Sequence, residues 1–282
     1  MAPGVLVAGT RKPRPTMIGT LLDIWKKRVI VSHFVSTLLT SSYRTKSLGF
    51  VWALLDPLLF MCVYYLVFGY LIAHRPRDFM LHIFIGVISF RFLNRTISQG
   101  ASILRSQGGV IKEISFPKSV LPVSVMLARL FDLAAGWIVA IPLAIFFGAP
   151  PNGAWLVLPG LILIQAIFVT GLCFLTAYIG VFFADVQNIL DVGLRLWFYM
   201  SPVLYPIALV QGKAAELNQP IIYQLYLLNP MTSMLQAYEG PVQLGQLPEP
   251  RFVIGAAIAA VVSFVVGLFV FSRAEGQIAK YV

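Results

Sequence analysis

The sequence predicts an all-α, polytopic membrane protein with six transmembrane helices, and three observations carry that prediction. Of its 282 residues, 59% are hydrophobic and only 11% are charged, with a mean hydropathy of +0.84. An ordinary soluble domain is about 45–50% apolar and about 25% charged, so this chain has too little polar surface to cover itself in water. The apolar residues also gather in runs near the roughly 20 residues a helix needs to cross a bilayer core. Finally, Lys and Arg concentrate in alternate connections between those runs, the asymmetry that fixes topology. Backbone facing lipid must satisfy its own hydrogen bonds, which makes the runs helices.

The elements follow in chain order as one transmembrane domain over 1–282. The opening MAPGVLVAGTRKPRP is rich in Pro and Gly, then basic. No short apolar core with a cleavage site follows it, so no removable signal peptide is expected. Next comes IGTLLDIWKKRVIVSHFV. Ile18, Leu21, Leu22, Trp25 and Val29 fall on one helical face, and Asp23, Lys26 and Lys27 on another. This is the pattern of an amphipathic helix lying in the cytoplasmic interface, with an ordinary packed cytoplasmic helix as the alternative.

The six spans are expected at 48–72, 79–104, 119–148, 154–183, 187–209 and 251–272, leaving 1–47 as a cytoplasmic tail. Segment 1–47 carries eight Lys and Arg, segment 105–118 three and the stretch after 272 two, thirteen together; the opposite side carries Arg75, Arg77, Lys213 and Arg251. Both termini and the 105–118 connection are therefore expected in the cytoplasm of a plasma (inner) membrane protein. The net charge of +10 reflects this topology and the membrane lipids it meets; bases spread along a buried chain do not make a nucleic-acid surface.

Ionisable groups inside spans are costly and often functional. Asp56, Arg91, Arg129, Asp132, Asp191 and Arg195 fall at similar depth, and Arg95 lies one turn from Arg91. Two readings stay open. One is mutual pairing, Asp56 with Arg91, Arg129 with Asp132 and Asp191 with Arg195. The other is a polar passage with surplus positive charge for an anionic headgroup, to which Arg91 and Arg95 would contribute. Tyr43, Arg44 and Lys46, just before the first span, are further headgroup candidates as charge-assisted donors; anchoring at the inner interface is their alternative.

Residues 210–250 are too long for a plain loop. Pro220 and Pro230 each suit the first turn of a short helix, and Tyr223, Tyr226 and Tyr238 stud the apolar middle. Two short helices over 221–239, dipping into the outer leaflet as a re-entrant gate, fit better than a span; a passive hairpin is the alternative. Tyrosines there suit an interface and could stack on sugar.

Several chemistries are absent. GxxxxGK[ST] does not occur, nor does HExxH or a Cys/His cluster, so neither a phosphate loop nor a metal site is expected. Cys62 and Cys173 sit within apolar runs and suggest no disulfide framework. His33, His74 and His82 read as interfacial polar residues, and no close carboxylate pair suits acid–base catalysis.

Four segments carry a family resemblance. SSYRTKSLGFVWALLDPLLF (41–60), GGVIKEISFPKSVLP (108–122), FFADVQNILDVGLRLWFYMSPVLYP (182–206) and LLNPMTSMLQAYEG (227–240) resemble the permeases of type 2 ABC exporters, in the branch that exports polysaccharides and teichoic acids. Ala184 and Glu239 stand where that family often carries Arg. The resemblance implies a homodimer of six-span subunits, each docking a separate ABC nucleotide-binding subunit that holds ATP and Mg, with no cofactor on this chain. The chain would then be a transport subunit, not an enzyme, exporting a lipid-linked glycan or teichoic acid. Segment 105–118 would be the coupling helix seated in the ATPase. Val110, Ile111, Ile114 and Phe116 would be its apolar anchors, Lys112 and Glu113 its polar rim, and Pro117 its stop; Gly108 and Gly109 would permit the sharp turn into it. A secondary transporter or channel for an anionic lipid or glycan is the alternative class, and a membrane glycosyltransferase a further one; the first predicts inverted repeats, which are not visible.

Overall fold

Prolines punctuate this sequence, and α7, α9, α10, α11 and α12 each start at or beside one. The computed structural model describes residues 17–44, 48–71, 79–183 and 185–281. Every element among them is helical: α1 (Met17–Lys26), α2 (Arg28–Tyr43), α3 (Val51–Leu71), α4 (Phe79–Ser106), α5 (Gly108–Glu113), α6 (Val120–Phe146), α7 (Leu158–Phe182), α8 (Val186–Tyr199), α9 (Ile207–Glu216), α10 (Pro220–Leu228), α11 (Pro230–Glu239) and α12 (Pro250–Tyr281). A 3₁₀ turn, Gly153–Val157, leads into α7, and a π turn, Gly240–Leu244, follows α11.

Among the described residues, four helices are long and apolar enough to cross a membrane: Phe79–Ser106, Val120–Phe146, Gly153–Phe182 and Pro250–Ile278. The described apolar part of α3 is shorter, Val51–Val67. The fifth expected span, 187–209, is not one helix. α8 holds 14 residues, about 21 Å, against a hydrocarbon core of about 30 Å. Ser201-Pro202 and Tyr205-Pro206 break it, because a residue before proline is driven out of the α region and each proline lacks the N–H that would continue the ladder.

α4 and α7 form the centre. α7 packs on α12 and α4, and α4 also packs on α6, α3 and α8. The close crossings depend on glycine. A Cβ on Gly171 would lie 2.3 Å from the Ser263 carbonyl carbon, and one on Gly180 would lie 1.9 Å from the Ala101 oxygen. Small residues let backbones meet where lipid supplies no hydrophobic drive between helices. Two polar groups inside reach across helices: Gln165 Nε2 donates to Ser89 O at 3.0 Å and Ser263 Oγ to Phe168 O at 2.9 Å.

α1 and α2 lie outside this bundle at one end. Ile18, Leu22, Trp25 and Val29 are exposed, so the apolar face read from the sequence has no cover among the described residues. α2 packs on α6 through Val31, Phe34 and Leu38.

The glycines of the 105–118 segment are not needed for its turn. The bend is made at Gln107, with φ −105°, and neither Gly108 nor Gly109 has positive φ. Ile111 and Phe116 also depart from expectation. Both are buried in this chain's own core, Phe116 against the Phe34 ring at 5.7 Å. Of the segment's apolar residues Ile114 alone is exposed, at 55%, beside exposed Lys112 and Glu113, with Val110 half-buried. Glu275 of α12 fixes the end of the segment, accepting from Lys118 N at 2.5 Å.

Candidate functional site: a cationic groove between three helices

Asp56 sits in the second turn of α3, one residue before Pro57. Arg91 and Arg95 lie one turn apart on α4, and Arg129 and Asp132 are related as i,i+3 on α6. Packing of these helices brings all five together with the C-terminal end of α2. Arg91 donates to Asp56. Arg129 Nη1 donates to Asp132 Oδ2 at 2.7 Å, and its Nη2 to Ser42 Oγ at 2.7 Å. Tyr43 donates to the other oxygen of Asp132. Arg95 spans the two aspartates at 3.4 Å from each, so two tight pairs become one network.

The network is graded in burial. The Arg129 side chain is 6% exposed and Asp132 12%, whereas Arg91 is 19% and Arg95 30%. Charges taken from water need good geometry and hydrogen bonding to hold together; both terminal nitrogens of Arg129 are bonded, to Asp132 and Ser42, while its Nε is buried without a partner among the described residues. Arg95 is the loosest member and the most open. Burial, then the hydrogen bond to Asp132, pushes the Tyr43 phenol up to about 12, so it remains a donor throughout the physiological range.

The open side of the network faces a groove of about 590 Å³ between α3, α4 and α8. Its walls are aromatic and apolar, with Phe60, Tyr64, Phe90 and Phe198, and its polar lining is Arg91, Asn94, Arg95, Asp191 and Arg195. Asp191 and Arg195, expected to pair at i,i+4, both line the groove, yet no ion pair joins them. Each stands exposed on α8. Arg44 is exposed at the end of α2, and Lys46 lies outside the described residues.

At the opposite end from α5, α10 and α11 form two short helices, with Pro230 in the first turn of the second. Tyr238 does not face a passage. It is 1% exposed, donates to Gln165 Oε1 at 2.9 Å and packs on Trp137, so it belongs to the core. All of Met231–Tyr238 is buried, because α11 packs on α12, α4 and α7. Tyr226 meets Tyr205 hydroxyl to hydroxyl at 2.6 Å, and Tyr223 is half-buried.

Sequence reasoning missed three parts of this arrangement. One is the Tyr43 and Ser42 link from α2 to the α6 ion pair. Another is the aromatic wall of α3, although Asp56, Phe60 and Tyr64 at spacings of four carry the signal for a shared face. The third is Asn229, which caps α11 through Met231 N at 3.0 Å, accepts from Trp197 Nε1 at 2.9 Å and donates to Ser201 Oγ at 2.9 Å. It ties the α10–α11 hairpin to the end of α8. Among the described residues no group of His, Cys, Asp and Glu is arranged to hold a metal ion.

Comparison with known proteins adds to this geometry. Residues 33–240 match the ABC-2 type transporter family. The chain is similar to the O-antigen export system permease protein RfbA of Myxococcus xanthus, with 29% identity over 246 residues, 87% of this chain and 92% of the relative. It is also similar to the permease protein of the same name from Klebsiella pneumoniae, with 24% identity covering 84% of this chain and 89% of that one.

Proposed function

The chain belongs to the ABC-2 type transporter family, and from that premise we propose that it is the membrane subunit of an ATP-driven exporter of a lipid-linked polysaccharide. The observation that carries this reading is the groove, where guanidinium groups lie beside aromatic and apolar walls at the depth of the spanning helices. An anionic, lipid-bearing glycan needs both kinds of surface. The relatives' names favour a polysaccharide over a teichoic acid.

In this reading α3 and the broken α8–α9 segment complete six crossings of the inner membrane, with both termini in the cytoplasm. α3 and α8 border the groove and expose apolar residues on it and beside it, Leu59, Phe60 and Val63 on one and Val192 and Leu196 on the other. A second copy of the chain covers them in a homodimer and closes the groove into a passage. A separate ATPase subunit binds ATP and Mg and docks on α5, where Ile114 supplies the apolar contact and Lys112 and Glu113 the polar rim. Closure of the ATPase pair moves α5, and the bundle shifts between states open to either side. The α10–α11 hairpin takes two positions as an exit gate, with Tyr223 and Tyr226 at its accessible edge.

The test is export with and without the chain. Deletion should leave completed polymer inside the cell, and the purified chain should turn over ATP only together with its ATPase subunit. Polymer reaching the surface at the normal rate in the deletion strain would overturn the reading.

A further inference from the structure

Four arginines lie within the bundle, and their partners separate them into two kinds. Arg129 is held tightly by Asp132 and Ser42 through its two terminal nitrogens, and Arg91 by Asp56. Arg95 holds its aspartates only at 3.4 Å and keeps 30% of its side chain open. Arg195 has no carboxylate within ion-pair distance among the described residues, although Asp191 lies one turn before it on the same helix. Arg95 and Arg195 enter the same groove from α4 and α8, and Asn94, which also lines it, makes no hydrogen bond among the described residues. Counting Arg91, three cations line the groove against one acid, Asp191.

An unpaired guanidinium at spanning depth is costly, and it persists where water or an anion supplies what the protein does not. Two guanidinium groups on opposing helices offer forked donors that match the oxygens of a phosphate better than a single point charge does. The groove above them is lined by Phe60, Val87, Leu194 and Phe198, a surface for an acyl or isoprenoid chain and not for a free inorganic anion. We propose that Arg95 and Arg195, with Asn94, form a phosphate clamp within the groove that holds the diphosphate head of an isoprenoid-linked substrate, Arg95 exchanging its aspartates for the ligand. The inference rests on the exporter reading for its substrate class, and it names the place where that substrate's charge is held. Tight pairing keeps Arg91 and Arg129 as scaffold, while loose pairing makes Arg95 the member able to move.

The test is calorimetric titration of the purified full chain in neutral detergent with three probes: farnesyl diphosphate, inorganic pyrophosphate and farnesol. Farnesyl diphosphate should bind at least tenfold more tightly than farnesol, since a charge-assisted hydrogen bond is lost with the head. R195A should weaken farnesyl diphosphate about tenfold, R195K should recover part of that loss, and R95A should weaken it as much or more. R251A, at an exposed ion pair with Glu249, should leave it unchanged. Arg195 has no hydrogen bond or ion pair among the described residues, so its variant reads the site even where R95A disturbs the network. Pyrophosphate binding as tight as farnesyl diphosphate, and lost in R195A, would keep the clamp and make its ligand a free anion. Equal affinity for farnesyl diphosphate and farnesol, or R195A and R95A both binding like the wild type, would overturn the proposal. Export by the wild type is scored separately in cells, so a failure of the exporter reading shows there and a failure of the clamp shows in the titration.

Discussion

Replacing Asp132 by Ala removes the acceptor shared by Tyr43, Arg129 and Arg95. Among the described residues Arg129 then keeps Ser42 as its only side-chain partner, with a side chain 6% exposed. Removing one member of a buried ion pair costs about 3–5 kcal/mol, because the other charge stays buried without compensation. Asp132 and Arg129 are too little exposed for water to screen that loss, and Arg95 can recover only part of it through Asp56. The lower end, about 3 kcal/mol, corresponds to a fall in Tm of about 6–12 °C for a chain of this size. The assay is a thermal melt of the purified protein in a single detergent. The double variant R129M/D132L removes both charges and fills the space, and it should melt within about 3 °C of the wild type, since apolar replacement of a whole buried pair is often neutral. The two single variants with R129M and D132L then give a cycle whose coupling should exceed about 1.5 kcal/mol. Additive losses, with coupling below about 0.5 kcal/mol, would refute the claim that the pair holds α2 and α6 as a unit.

Three further outcomes are expected. Phe116→Ala should lower stability by about 3 kcal/mol, as truncation of a buried aromatic does, whereas Ile114→Asp should leave the melt unchanged and release the ATPase subunit in a pull-down; a stable F116A with intact melting would argue that Phe116 is an external anchor after all. Gly180→Ala should impair folding outright, because its Cβ would meet the Ala101 carbonyl at 1.9 Å, and detergent-extracted yield by size-exclusion chromatography reads this directly. Tyr43 titrates higher in the folded protein, so its contribution is complete below pH 10 and fades as pH rises toward 12; wild type and Y43F should therefore differ in Tm at pH 8 and converge as the phenol ionises, and a constant difference across that range would remove the Asp132 hydrogen bond from the account.

The class of this protein was legible from composition alone. A chain that is 59% hydrophobic has one way to stay folded, and the runs of about 20 residues give its long helices directly, since spanning length is set by the bilayer and not by partners. Short helices at Pro220 and Pro230 were legible for a local reason: proline fixes the first turn whatever surrounds it. The Asp56–Arg91 and Arg129–Asp132 contacts could be anticipated because depth along a span follows from residue count.

What the sequence could not decide depends on which helix faces which. Asp191 and Arg195 have ideal spacing for a pair, yet both turn to a groove that exists only because α3, α4 and α8 meet around it. Ile111 and Phe116 look like partner anchors in one dimension; Phe34, 82 residues earlier, takes Phe116 into the core instead. Tyr238 reads as an interfacial ring until Gln165 and Trp137 close over it. Periodicity tells which residues share a face, but burial is the sum of contacts from distant segments, and those contacts are fixed only when glycines such as Gly171 and Gly180 let the helix backbones touch.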